Sequence, residues 1–192
     1  MIDSLNFKSY KEEKINGRVY LISPSPNPVH GETIVNIVTI FKMFVKEHGK
    51  HCKVYGDSID VYLAGNAKDN YVIPDVSVIC DLNKITSKGC MGVPDLIVEV
   101  LSPVSIDKDE EEKLALYERY SVPEYWIVDY NYKTVKQYIF GDKKYNTRKT
   151  FVLLDENEFN RLPKEDQASY AKKFKTSVFD DLEIELNDIF DF

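Results

Sequence analysis

Residues 94–103 read PDLIVEVLSP, then comes SPVSIDKDEEEKLALYERY, and then EYWIVD. A strand, a helix of about a dozen residues and a second strand form a βαβ unit, which sets its two strands parallel with a right-handed crossover. A central strand of a parallel pair is covered on both faces, which accounts for the unbroken apolar run of PDLIVEVLSP. Glu99, in the middle of that run, is the exception. An unpaired carboxylate is expensive to desolvate, so a buried glutamate is protonated, paired or bound to a metal. Three readings stand at this point: an ion pair with a core lysine or arginine, a strand end nearer to solvent, or a ligand.

The rest of the chain is read around this unit. GRVYLISPSPNP is a strand running into a Pro-rich turn. From Val29 to His48 the apolar residues Ile34, Ile37, Val38, Phe41, Phe44 and Val45 recur at three and four, predicting a helix with one buried face that Gly49 and Lys50 close. KVYG, SIDVYLA and YVIPDVSVICD follow as β segments. Asp109 and Glu112 are placed as a capping box ahead of the second helix. TVKQYIF and TFVLL, joined by GDKKYN, predict a hairpin. Residues 155–177 are polar and read as a long loop or a short exposed helix, and LEIELNDIF closes with a strand and a turn. The fold class is α/β, a mixed sheet flanked by helices. A length of 192 residues fits one domain over 1–192.

A formal net charge of −7 argues against a protein that coats nucleic acid non-specifically, because that affinity comes from Lys and Arg neutralising phosphates. It does not exclude a nuclease, whose metal site is itself acidic. Two basic clusters, Lys42, Lys46, Lys50 and Lys53, and Lys143, Lys144, Arg148 and Lys149, are either solvated surface or a seat for a phosphate backbone. No stretch is apolar enough to span a bilayer, and the N-terminus lacks a signal pattern, so the expected location is the cytoplasm with no membrane contact. Cys52, Cys80 and Cys90 are an odd, irregular set that suits reduced thiols. His48, His51 and Cys52 lie close together but lack the second ligand pair of a zinc finger.

Asp75 pairs with Glu99 as a candidate. It opens a β segment after Pro74, so two strands each offer a carboxylate, and such a pair suits Mg²⁺, which keeps waters and substrate phosphate as its other ligands. Taken alone, Asp75 reads equally as a turn or strand cap. Lys113 shares a stripe with Leu116, Tyr117 and Tyr120, the helix face turned toward the sheet. Its ammonium either runs out to solvent or reaches the site beside Glu99. Glu32, in the first turn of the helix from Val29, reads on its own as a charge favoured by the helix dipole, and Asp95 as a turn residue. No Gly-rich phosphate loop, nucleophile elbow or His-Glu-x-x-His pair is present.

IPDVSVICD, PDLIVEVLSP and DEEEKLALYERYSVPEYWIVD, in this order, resemble the Uma-two family of restriction-endonuclease-like domains, a branch of the PD-(D/E)XK nuclease superfamily. The resemblance covers most of residues 17–140. It implies a mixed sheet flanked by helices and a metal-dependent hydrolytic site using Mg²⁺ or Mn²⁺. By position, Asp75 is similar to the metal-binding aspartate and Glu99 to the acidic residue of the (D/E)XK half. Glu32 resembles the acidic residue that many members carry on the first helix. Two residues after Glu99, where the superfamily has lysine, stands Leu101; Lys113 resembles the lysine that this family carries on the following helix instead.

The resemblance therefore implies phosphodiester hydrolysis of nucleic acid, with DNA the expected substrate. The rival reading is a nuclease-fold module without catalysis that binds DNA or a protein partner, and a third is hydrolysis of another phosphate ester. A homodimer is compatible with cutting two strands, and the hairpin near 134–154 offers an edge for one.

Overall fold

The computed structural model describes residues 11–22, 27–66, 70–102 and 108–192. Its central layer is a six-stranded sheet of β3 (Lys53–Gly56), β6 (Val76–Ile79), β9 (Leu96–Val100), β10 (Glu124–Asp129), β11 (Thr134–Gly141) and β12 (Lys144–Val152), in the order β12-β11-β10-β9-β6-β3. β9 and β10 are parallel, as the βαβ reading requires, and every other neighbouring pair is antiparallel. The five residues of β9 are all buried. Leu96, Val98 and Val100 point into one core and Ile97 into another, so this strand is covered on both faces.

The first core lies under α1 (Pro28–Glu47), whose Ile34, Ile37, Phe41 and Phe44 pack on Val98, Trp126 and Val128. The C-terminal residues join it there: β13 (Lys173–Lys175) pairs with β14 (Glu183–Glu185), and α5 (Leu186–Ile189) follows. On the opposite face, α2 (Leu114–Arg119) brings Leu116 and Tyr117 into the second core. A smaller sheet shares that core, built from β1 (Lys11–Ile15), β2 (Arg18–Ile22), β4 (Val61–Tyr62), β5 (Tyr71–Val72), β7 (Ile85–Thr86) and β8 (Gly89–Met91).

Several expectations are revised by this arrangement. The strand read over GRVYLISPSPNP has a partner ahead of it: β1 and β2 form a hairpin across Asn16 and Gly17, both at positive φ. Asn-Gly is the sequence signature of that two-residue turn. α1 begins at Pro28, with the Asn27 side chain accepting from Val29 N at 2.9 Å, so Glu32 falls beyond the first turn. Of SIDVYLA only Val61 and Tyr62 pair as strand. The 134–154 hairpin turns on Asp142 and Lys143 alone, at φ 50° and 69°, so most of GDKKYN is strand. Residues 155–177 hold α3 (Glu156–Arg161), α4 (Lys164–Ser169) and β13 rather than one loop. The capping box falls partly outside the described residues, since the side chain of Asp109 is not among them.

The expectation of three reduced cysteines is also corrected. Cys52 and Cys80 are joined as a disulfide, which also removes Cys52 from any metal site with His48 and His51. They adjoin paired ends of β3 and β6, where Lys53 faces Ile79, so strand pairing brings together two residues 28 apart in sequence. Cys90 is free and fully buried, and burial pushes its thiol up to about 11. Among the described residues no helix is long and apolar enough to cross a membrane.

Candidate active site

The β6–β9 pairing positions the two carboxylates. Val76 faces Val98, so the register carries Asp75, just before β6, to the level of Glu99 on the adjacent antiparallel strand. Asp75 Oδ2 accepts the Val100 N–H at 2.7 Å, which ties the aspartate to the strand bearing Glu99. Glu99 is 3% exposed and projects from the β9 face that meets α2.

Lys113 is the last residue of a π-helical turn, Lys108–Lys113, that runs into α2. Turns of this kind recur at functional sites. The apolar stripe anticipated for this helix is real: Leu116 and Tyr117 are buried with Lys113. Lys113 does not run out to solvent. Only 4% exposed, it places Nζ 2.8 Å from Glu99 Oε1 and 3.3 Å from Glu13 Oε1. The helix therefore supplies, beside Glu99, the ammonium that the in-line position lacks; Leu101 at that position is buried in the second core.

Three further groups complete the cluster. Glu13, from β1, is fully buried and also accepts from Ile73 N at 2.9 Å. Tyr117 OH donates to Glu99 Oε1 at 2.7 Å. Burial, reinforced by the charges of Glu99 and Glu13, pushes the Tyr117 hydroxyl well above its ordinary range, so it remains a donor. His30, from α1, lies with Nε2 3.0 Å from the Val100 carbonyl and 3.7 Å from Asp75 Oδ2. Its ring meets Tyr130 edge-on at 6.3 Å, and Asn27 Nδ2 donates to the Tyr130 hydroxyl at 3.0 Å.

The structure thus brings together Asp75, Glu99 and Lys113 and sets Glu32 apart. Glu32 is exposed on α1 and joins none of the cluster's contacts among the described residues. Asp95 acts as the turn residue expected of it, accepting from Cys80 N at 2.7 Å. Sequence reasoning missed Glu13 and His30. The Asn-Gly turn was the available signal for Glu13, because it fixes the β1 register and turns Glu13 inward with Ile15.

The donor chemistry around Asp75 and Glu99 is one of hard oxygens, which suits Mg²⁺ or Mn²⁺ and not a thiophilic ion. Among the described residues no three His, Cys, Asp or Glu converge as an ion cage. A carboxylate pair is what Mg²⁺ commonly takes from protein, with water and phosphate oxygens filling its other positions. The site's residues fit such an ion.

Comparison with known proteins agrees with the fold. A crystal structure of a "putative nuclease belonging to DUF820" from Anabaena variabilis superposes with a TM-score of 0.64 over 94% of this chain and 89% of that one, at 19% sequence identity. An uncharacterized protein of Synechocystis sp. is 30% identical over 107 residues, 56% of this chain. The chain spans about half the length of that relative, 54%. The profile of the Uma2 family, described as "Putative restriction endonuclease", matches residues 5–168. With its profile matched over most of the chain, the protein belongs to the Uma2 family.

Proposed function

We propose that the protein is a divalent-metal-dependent nuclease that hydrolyses phosphodiester bonds in DNA. The observation that carries this reading is the juxtaposition of Asp75 and Glu99 on neighbouring strands with the buried Lys113 ammonium 2.8 Å from Glu99. Asp75 and Glu99 would hold the cation. Bound there, Mg²⁺ or Mn²⁺ would lower the pKa of a water and offset charge on the scissile phosphate.

The chain's own residues do the rest. Lys113 brings a fixed positive charge to the place where negative charge grows on the phosphate, and such preorganised electrostatics carry much of enzymatic rate enhancement. Its two carboxylate contacts hold the long side chain in one position, which limits reorganisation during the reaction. Tyr117 fixes the Glu99 rotamer through its hydrogen bond. The Val100 amide does the same for Asp75, and His30 lies against both Asp75 and the Val100 carbonyl.

The test is cleavage of supercoiled plasmid and labelled single-stranded DNA in Mg²⁺ or Mn²⁺, comparing the parent with Glu99→Gln and Lys113→Met at equal folded concentration. Each substitution is expected to lower turnover by about 100-fold or more. Cleavage by either variant at the parent's rate would remove these roles. A parent that neither cuts nor binds metal would leave the non-catalytic binding module as the better reading.

A further inference from the structure

Of the two basic clusters in the sequence, the one on residues 143–149 includes Arg148, whose side chain shares the sheet face of Glu99. Residues 133–152 contain Lys133, Lys136, Lys143, Lys144, Arg148 and Lys149 against a single acid, Asp142, in a chain whose net charge is −7. This is the β11–β12 hairpin, and β12 is the terminal strand of the central sheet. The strand registers fix where its charges point. Glu99 faces Ile127, Ile127 faces Lys136, and Lys136 faces Thr150, so these four residues form one row across β9, β10, β11 and β12. Directly paired residues share a face of the sheet. The neighbouring row on that face is Ile97, Tyr125, Tyr138 and Arg148.

With strands about 4.8 Å apart, the Lys136 backbone lies roughly 10 Å from that of Glu99 and the Arg148 backbone roughly 15 Å away. Arg148 is exposed, and its guanidinium stands over the Tyr138 ring at 5.9 Å. That stacking holds a planar, five-donor cation at a defined place on the surface, the form of positive charge best matched to a phosphate. The second cluster has no such relation to the site. Lys42 and Lys46 are exposed on α1, which covers the opposite face of the sheet, and Lys50 lies 3.5 Å from Asp181.

We infer that the β11–β12 hairpin is the surface that carries the nucleic-acid backbone to the carboxylate site, with Arg148 as its principal phosphate contact. The inference rests on the nuclease reading above and adds to it the path of the substrate.

It is tested by fluorescence anisotropy with a fluorescein-labelled DNA oligonucleotide, single-stranded and duplex, in Ca²⁺ at a series of salt concentrations, alongside cleavage in Mg²⁺. The variants are Arg148→Gln, the pair Lys136→Glu with Arg148→Glu, and a control pair of equal charge change, Lys42→Glu with Lys46→Glu. The hairpin pair is expected to weaken binding at least tenfold, and Arg148→Gln to lower the slope of log K against log salt by about 1. The control pair should stay within twofold of the parent. Equal losses in the hairpin and control pairs, or a hairpin pair that binds and cuts like the parent, would overturn the proposed path while leaving the nuclease reading intact. Binding that depends on the hairpin, with no cleavage in any divalent metal, would keep the surface and remove the nuclease. A parent that neither binds nor cuts would remove both.

Discussion

Two buried glutamates on adjacent parallel strands show what a residue can and cannot reveal by itself. Glu99 on β9 and Glu124 on β10 are 3% and 0% exposed. Glu99 meets a buried lysine, a second carboxylate within reach of that lysine, and a tyrosine hydroxyl. Glu124 has a different environment. Its Oε1 accepts from Trp126 Nε1 at 2.6 Å and Gln137 Nε2 at 2.7 Å, and its Oε2 from Thr176 Oγ1, Ser177 N and Ser177 Oγ at 2.8, 2.6 and 2.6 Å. Those donors fasten the 176–177 segment to the sheet, so Glu124 is a structural carboxylate. Glu124→Gln turns an amide against some of those donors and should lower unfolding free energy by about 2 kcal/mol in urea titration, with activity per folded molecule retained. Glu99→Gln should do the reverse, losing activity far out of proportion to stability. An acid in an apolar strand was enough to single out Glu99 from the sequence. It could not separate the two roles, because the separation lies in partners contributed by distant segments.

At the scale of elements, α2 shows local rules operating in full. Its last turn closes as a Schellman motif: Ser121 N–H donates to Glu118 O at 3.0 Å and Val122 N–H to Tyr117 O at 3.0 Å, with Val122 buried beyond the end. Ser121 sits at φ 59°, in the left-handed region that favours glycine, and its side chain is exposed. Ser121→Gly should therefore raise stability by about 0.5 kcal/mol, measured by urea denaturation; a loss would show that the serine makes contacts that offset the strain. The stripe of Lys113, Leu116 and Tyr117 was legible because periodicity reports which face of a helix is buried. The start of this helix was less so, since the π-helical turn that delivers Lys113 has no pattern of its own in the sequence. The β1–β2 hairpin had a clear signal in Asn16 and Gly17, but its flanking KEEKI is too charged to read as a strand from hydropathy alone.

At the scale of the whole molecule the described residues form three layers, with the central sheet between α1 and the C-terminal elements on one side and the smaller sheet and α2 on the other. The Cys52–Cys80 disulfide ties the edge strand β3 to β6, the strand that follows Asp75. It closes a loop with a sequence separation of 28, and in the chain-entropy picture such a link stabilises by about 3.6 kcal/mol. Cys52→Ser with Cys80→Ser, or reduction, should lower the unfolding free energy by about that amount. Unchanged denaturation on reduction would show that β3 is held as well without the link.

By itself the sequence determined the βαβ unit, the buried faces of α1 and α2, and the presence of a carboxylate in β9 that required a partner. These follow from spacing along a few turns or one strand, and spacing is a local property. Only the tertiary structure decided who the partners are. Glu13 and Lys113 are far apart in the chain yet meet at 3.3 Å because β1 and α2 share one core. Cys52 finds Cys80, and Lys136 and Arg148 come to the sheet face that carries Glu99, because the strand order β12-β11-β10-β9-β6-β3 and its registers put them there. Strand order depends on how all the apolar faces are buried at once, and no window of sequence contains that information.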